Sequence, residues 1–212
     1  MAKKPPIMLG TDDASLTAAA AVIKNGGIVA YPTETFYGLA ADPFNEDAVE
    51  TLFILKGRDK TNPISLIAAD TAMVKKAVSY VSPLAEVLMH KYWPGPLTIV
   101  FDAAPSIPEV ITAGTGKVGI RIPSSKTALE LTRLTGHVVT TTSANPSGKA
   151  PASTASEAMN YFHARIDAII DGGELTSRLA STIVDAAGDT PLVIREGVIA
   201  SKEILKTTGG SR

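Results

Sequence analysis

Two residue pairs carry the side chains best suited to chemistry in this chain of 212 residues. Lys56 and Arg58 stand two positions apart, as do Ser143 and Asn145, and each pair follows a strongly apolar segment. Together they offer two positive charges, a hydroxyl and an amide, which bind phosphates or carboxylates through charge-assisted hydrogen bonds worth ~1.5–3 kcal/mol each. We predict that these four residues form the catalytic set of a small-molecule enzyme acting on an anionic substrate, with a nucleotide as the first candidate.

A third stretch, from Tyr31 to Leu39, follows an apolar strand-like run, and we predict a short loop there that contains several hydroxyls. Taken singly, each of the three features has an ordinary structural explanation. Cations favour the end of a helix, serine and asparagine often cap helices or form turns, and the hydroxyls of Thr33 and Thr35 are able to bond the local backbone. The combination of all three features in one chain is what favours a binding site.

Other functional motifs are incomplete or missing in the sequence. Gly114 to Gly119 matches the three-glycine dinucleotide pattern, but a strand closed by a proline follows it where that motif requires a helix. Because the sequence has no cysteine, it offers no thiolate nucleophile and no cysteine-based zinc site. The three histidines stand alone, at His90, His137 and His163. We therefore predict no protein-bound metal.

Composition narrows the class of protein. Hydrophobic residues make up 45% and charged residues 19% of the sequence, which is ordinary for a globular protein. The net charge of −1 disfavours a dedicated nucleic-acid binder, because phosphate contacts supply most of the affinity of such proteins, but it is compatible with a weak direct RNA contact. No apolar stretch approaches the ~20 residues of a membrane span, and the N-terminus lacks the apolar part of a signal peptide. We predict a cytoplasmic protein without a membrane partner.

Capping residues and apolar patterns predict the elements that position these side chains. Helices are expected to begin near Ser15, Asn45 or Asp47, Asp70, Ser82, Ser124 or Ser125, and Thr154. Strands are expected at 28–31, 64–69, 97–101, 118–122, 138–142, 166–170, 182–184 and 192–195. Because several strand pairs are joined by turns too short for a crossover helix, we predict one domain with a mixed α/β sheet and a loose tail at 206–212.

The motifs, taken together, resemble the YrdC-like threonylcarbamoyl-AMP synthases. The matching stretches occur in family order between about Gly26 and Val198, and they are PTETFYGLA from Pro32, Lys56-Gly57-Arg58 with Asn62-Pro63, WPGPLT from Trp93, GIRIP from Gly119, Ser143-Ala144-Asn145, STIVD from Ser181 and IREG from Ile194. The resemblance implies a mixed twisted sheet with helices around a deep basic cavity. It also implies the short, single-domain form of the family, with the motifs lying in about residues 15–200 of a domain spanning 1–212.

The reaction implied by this resemblance joins L-threonine, bicarbonate (or CO2) and ATP into threonylcarbamoyl-AMP and pyrophosphate. Mg2+ is expected to accompany ATP as part of the substrate. The product would supply the threonylcarbamoyladenosine modification next to the tRNA anticodon, so tRNA would be an indirect partner, reached through a separate transferase complex. The alternatives are a non-catalytic protein of the same fold that binds RNA or ribosomes, and a carbamoyl-adenylate-forming maturation factor.

Site residues also follow from the resemblance, by position. Residues expected at threonine are Thr35, Arg121, Thr141 and Ser181. Residues expected at ATP are Arg58, Asn62, Lys117, Ser143, Pro151 and Arg195. The chain departs from the family at Ile67, where some members carry a histidine close to threonine.

Overall fold

The structure is a computed structural model that describes residues 4–209. Within these residues, ten strands form a single sheet: β1 (Ile7–Leu9), β2 (Val29–Pro32), β3 (Tyr37–Ala40), β4 (Ser65–Ile67), β5 (Leu97–Asp102), β6 (Lys117–Arg121), β7 (Val139–Ser143), β8 (Ala168–Ile170), β9 (Thr182–Asp185) and β10 (Leu192–Arg195). Their spatial order is β1-β8-β2-β3-β7-β4-β6-β5-β9-β10. Neighbours pair in both directions, parallel for β2–β8 and antiparallel for β2–β3, which confirms the predicted mixed sheet.

The helices begin close to the predicted caps. They are α1 (Asp13–Lys24), α2 (Glu46–Lys56), α3 (Thr71–Ala77), α4 (Pro83–Tyr92), α5 (Glu109–Thr112), α6 (Lys126–Thr135), α7 (Ala155–Phe162) and α8 (Ser201–Thr207). The predicted capping side chains that accept a bond from the first turn are those of Asn45, Asp70, Ser82, Ser125 and Thr154. The prediction for the first helix was wrong, because Asp12, three residues before Ser15, accepts the Ser15 N–H at 3.0 Å and is the cap.

Two further expectations need correction. The sequence predicts a loop after Pro32, but Tyr37–Ala40 forms β3, which lies antiparallel to β2 in a short hairpin. The tail was expected to be loose from residue 206, but Lys206 and Thr207 form the last turn of α8. Residues 210–212 of that tail lie outside the described part of the chain. In the described range, none of the helices has the length and apolarity needed to cross a membrane.

Strand register places the polar side chains on one face of the sheet. Gly38 of β3 pairs with Ser143 of β7, and Ser65 of β4 pairs with Thr141 of β7. Thr141 and Ser143 are two residues apart and so point to the same face. Residues paired across neighbouring strands also point to the same face. This face therefore continues through the pairs Ile67–Arg121, Thr98–Ile183 and Ile183–Arg195.

Helices α1 and α6 cover only part of this face. Ile67 and Val139 are fully buried in a cluster with Leu16 and Ile23 of α1 and Leu131 of α6. Two positions further along the same strands, Ser65 and Thr141 line an open cavity instead. The face is therefore apolar under the helices and polar beyond them, and Ile67 belongs to the apolar part.

The turn after β10 makes a close backbone approach that only glycine permits. A Cβ added at Gly197 would lie 2.1 Å from the carbonyl oxygen of Ala180 and 2.7 Å from the carbonyl carbon of Ser181. Both Ala180 and Ser181 line the cavity. Backbone atoms cannot move aside as a flexible side chain does, so the wall of the cavity must shift if residue 197 carries a Cβ.

We predict that Gly197→Ala lowers the free energy of unfolding by ~1–3 kcal/mol, the range of an overpacking substitution. Urea unfolding of the purified variant measures this. Gly188→Ala is the matched control, because its Cβ would meet no atom within 4 Å; it should change stability by less than ~0.5 kcal/mol. Equal unfolding midpoints for the two variants would contradict the prediction.

Candidate active site

A cavity of about 290 Å³ opens on the polar part of the sheet face. Eight of the twelve predicted site residues line it: Thr35, Arg58, Arg121, Thr141, Ser143, Pro151, Ser181 and Arg195. The remaining predicted residues are not among its lining residues, and they are Lys56, Asn62, Lys117 and Asn145. The structure thus brings most of the sequence-predicted residues together, although they come from three strands (β6, β7 and β10) and from four separate loops.

Lys56 lies behind the cavity wall. Its side chain is buried, with the residue only 4% exposed, and its Nζ donates to Ser143 O at 2.5 Å, Ser143 Oγ at 3.4 Å and Asn145 Oδ1 at 3.2 Å. These three acceptors match the three protons of an ammonium group. Burial, and after it the charge of Arg58, lowers the pKa of Lys56 to about 8. Lys56 is therefore a brace for the end of β7.

Asn145 is also occupied by the protein itself. Its Nδ2 donates to Pro146 O at 3.0 Å and to Lys149 O at 2.6 Å, while its Oδ1 accepts from Lys56. The Asn145 amide thus connects the loop after β7 to the Lys56 ammonium. The two members of each pair, Lys56/Arg58 and Ser143/Asn145, have different roles. Arg58 and Ser143 face the cavity, whereas Lys56 and Asn145 hold the backbone that carries Ser143.

Arg58 is held in place by the loop that follows α2. Its Nε donates to Asn62 O at 3.3 Å and its Nη2 to Pro63 O at 2.7 Å. Asn62 therefore contributes through its backbone carbonyl, and its side chain is exposed. Burial lowers the pKa of Arg58. The remaining N–H groups of the fork are available to a ligand in the cavity.

Arg121 forms a buried ion pair with Glu34. Arg121 Nη1 lies 2.5 Å from Glu34 Oε1, and the two side chains are 5% and 16% exposed. Glu34 was missed in the sequence prediction. The available signal was a carboxylate enclosed by buried hydroxyl residues in the loop after β2, a position where an acid needs a partner. Arg121 therefore lines the cavity with its positive charge compensated by Glu34.

Arg195 and Ser181 are in direct contact. Arg195 Nη2 donates to Ser181 O at 2.9 Å and to Ser181 Oγ at 3.3 Å. Burial lowers the pKa of Arg195, and the charges of Arg121 and then Arg58 lower it further. Arg195 is therefore repelled by two other arginines at the cavity, and an anionic ligand beside it would offset this repulsion. The sequence prediction assigns Ser181 to threonine and Arg195 to ATP, and this division stays a prediction.

Lys117 is paired with Asp185 and does not line the cavity. Its Nζ lies 2.6 Å from Asp185 Oδ2, and this hydrogen bond raises the pKa of Lys117. Among residues 4–209 no group of three or more His, Cys, Asp or Glu side chains is arranged to hold a metal ion.

Several hydroxyls at the site were not assigned from the sequence. Thr33, Ser65 and Thr98 line the cavity. Tyr31 is fully buried behind it, and its OH donates to Thr141 Oγ1 at 3.0 Å. Burial raises the pKa of Tyr31 to about 12. The alternation of polar and apolar residues along β4, β5 and β7 was the available signal, but it required the strand register.

The fold and the site together define a known class of protein. The chain belongs to the Sua5/YciO/YrdC family, whose model, described as "Telomere recombination", matches residues 21–197. Over 194 residues it is 37% identical to the threonylcarbamoyl-AMP synthase of Pyrococcus abyssi (strain GE5 / Orsay), which covers 92% of this chain and 57% of that protein. It is also 39% identical over 167 residues to the threonylcarbamoyl-AMP synthase of Thiobacillus denitrificans (strain ATCC 25259 / T1), covering 79% of this chain and 88% of that protein.

A solved structure shows the same fold. The crystal structure of Pyrococcus abyssi Sua5 complexed with L-threonine superimposes with a TM-score of 0.93 at 35% identity, over 97% of this chain and 62% of that one. The chain therefore spans about three-fifths of the length of the Pyrococcus protein.

The environment of Lys56 predicts a particular pH dependence of stability. Its pKa is about 8 in the folded protein, against an ordinary value of 10.5. Between these values the unfolded chain holds more protons, so the contribution of Lys56 to the free energy of unfolding rises as the pH increases from about 8 to 10.5. We predict that the stability difference between wild type and Lys56→Met shifts in favour of the wild type across this window.

Urea unfolding of both proteins at several pH values across the window measures this shift. Lys75→Met, which replaces an exposed lysine of α3, is the control and should follow the wild-type profile. Parallel profiles for wild type and Lys56→Met would show that the Lys56 ammonium is not destabilised by burial.

Proposed function

We propose that this protein is a threonylcarbamoyl-AMP synthase, which converts L-threonine, bicarbonate and ATP into threonylcarbamoyl-AMP and pyrophosphate. The observation that carries the proposal is the division of charge in the cavity. Arg121 is compensated by Glu34, while Arg58 and Arg195 line the same cavity bonded to carbonyl and hydroxyl oxygens. A zwitterionic amino acid suits the first arrangement, and a polyphosphate suits the second.

The proposed reaction needs positioning and charge compensation more than a protein acid or base. The threonine amine and bicarbonate form a carbamate with loss of water. A carbamate oxygen then attacks the α-phosphorus of ATP, and the bond to the leaving pyrophosphate breaks. Arg58, Arg195 and Ser143 would hold the phosphates, because fixed donors aimed at developing negative charge lower the barrier. Mg2+ would enter with ATP as part of the substrate and keep most of its waters.

The proposed partners follow from this activity. The names of the relatives favour the enzyme over a non-catalytic RNA- or ribosome-binding protein of the same fold. The product would serve the tRNA modification through a separate transferase complex in the cytoplasm, with at most a weak direct RNA contact.

We predict that the purified protein releases pyrophosphate from ATP only when L-threonine and bicarbonate are both present. Each omission should abolish release, because neither the amine nor the carboxyl source alone makes the attacking carbamate. A coupled pyrophosphate assay, with other amino acids tested in turn, measures this. Equal release without threonine, or ADP as the product, would rule out the proposed function.

Arg58, which we assign to the nucleotide, provides a second test. We predict that Arg58→Lys loses nearly as much turnover as Arg58→Ala, roughly ten- to a hundredfold. A lysine cannot keep the bonds to Asn62 O and Pro63 O while also presenting a planar fork to a phosphate. The control is a melting curve of each variant. A folded Arg58→Lys protein with full activity would show that residue 58 acts only as a point charge.

A further inference from the structure

The hydroxyl of Thr33 has a fully determined hydrogen-bonding pattern. Its Oγ1 lies 2.7 Å from Phe36 O, and a carbonyl oxygen only accepts, so Thr33 must donate its single proton there. Its Oγ1 also accepts the backbone N–H of Thr35 at 3.1 Å. The third contact is to Thr35 Oγ1, also at 3.1 Å. Because the proton of Thr33 is already used, the proton in this contact belongs to Thr35.

The polarity of the Thr35 hydroxyl follows directly. Thr35 gives its proton to Thr33, so only lone pairs remain to face a ligand. Both threonines are buried, and both line the cavity. Thr35 is therefore an acceptor, and a ligand group beside it must donate. Glu34, between them in the chain, is paired with Arg121, so the charge of Arg121 beside this loop is compensated.

Two other cavity hydroxyls have the opposite polarity. Ser143 Oγ accepts from Lys56 at 3.4 Å, and Thr141 Oγ1 accepts from Tyr31 at 3.0 Å. Each of these hydroxyls keeps its own proton for a ligand acceptor, such as a phosphate or carboxylate oxygen. The loop of Thr33 to Phe36 is thus a part of the cavity where a hydroxyl is fixed to receive a proton donor.

We propose that Thr33 is a positioning residue that makes this loop the amine subsite of the amino-acid substrate. By accepting the proton of Thr35, Thr33 turns the Thr35 lone pairs toward the ammonium group, or toward the amine from which the carbamate forms. Without Thr33, the Thr35 hydroxyl is free to rotate its proton into the cavity and oppose the ammonium group. This proposal rests on the proposed function and names a determinant of its substrate class.

The test compares two ligands and two variants by calorimetric titration. The ligands are L-threonine and 3-hydroxybutanoate of the same configuration, which has hydrogen in place of the amine. The wild type should prefer threonine. Thr33→Val, which keeps the shape and removes the hydroxyl, should reduce that preference about tenfold, the loss of one charge-assisted hydrogen bond. Thr33→Ser, which keeps the hydroxyl, should preserve the preference, and neither variant should change the Kd of ATP.

Every other result counts against the proposal. An equal loss of both ligands in Thr33→Val, or an unchanged preference, would mean that Thr33 only supports the fold. If Thr33→Val does not fold, Thr35→Val replaces it, with Thr35→Ser as control, and should show the same loss of preference. A wild type that binds neither ligand would overturn the proposed substrate as well, whereas normal threonine binding with no effect of residue 33 would overturn this proposal alone.

Discussion

The buried ammonium group of Lys56 is the contact on which the rest of the site depends. It joins the last residue of α2 to the end of β7, and through them the two signature pairs of the sequence. Its partners are neutral oxygens, so the cost of burying the charge is offset by hydrogen bonds alone. That is why all three acceptors are needed. With them in place, the backbone at Ser143 is fixed beside Gly38 of β3, and the wall of the cavity acquires its shape.

The three arginines at the cavity have unequal charge compensation. Arg121 has an acidic partner in Glu34, but the bonds of Arg58 and Arg195 go to carbonyl and hydroxyl oxygens, which compensate less charge. Burial lowers the pKa of Arg195, and repulsion from Arg121 and Arg58 lowers it further; an anion placed between these groups would oppose the repulsion. The compensated Arg121 gains less from a bare anion and more from a ligand that carries both signs.

The sequence predicted correctly those elements whose formation depends on neighbouring residues. Asn45, Asp70 and Ser82 cap their helices as predicted, because a cap depends on residues within one turn. The strand that delivers Ser143 was also recognised from its β-branched run. The roles of Lys56, Glu34 and Tyr31 could not be predicted, because their partners Ser143, Arg121 and Thr141 lie some 90 to 110 positions away and meet only through the register of β4, β6 and β7. Strand β3 was missed because it is only four residues long, contains a glycine and follows the hydroxyl-rich turn directly.

Residues that never touch a ligand decide what the lining residues offer to it. Ser143, Thr141 and Thr35 each present a hydroxyl, and by residue type alone the three are interchangeable. Their buried partners are the ammonium of Lys56, the phenol of Tyr31 and the hydroxyl of Thr33. These partners leave Ser143 and Thr141 as donors to a ligand and Thr35 as an acceptor. A chain with the same lining and other buried partners would present the same groups with another polarity. Similarity of a cavity surface is therefore weaker evidence of shared chemistry than similarity of the buried residues beneath it, and in this chain the family motifs include both.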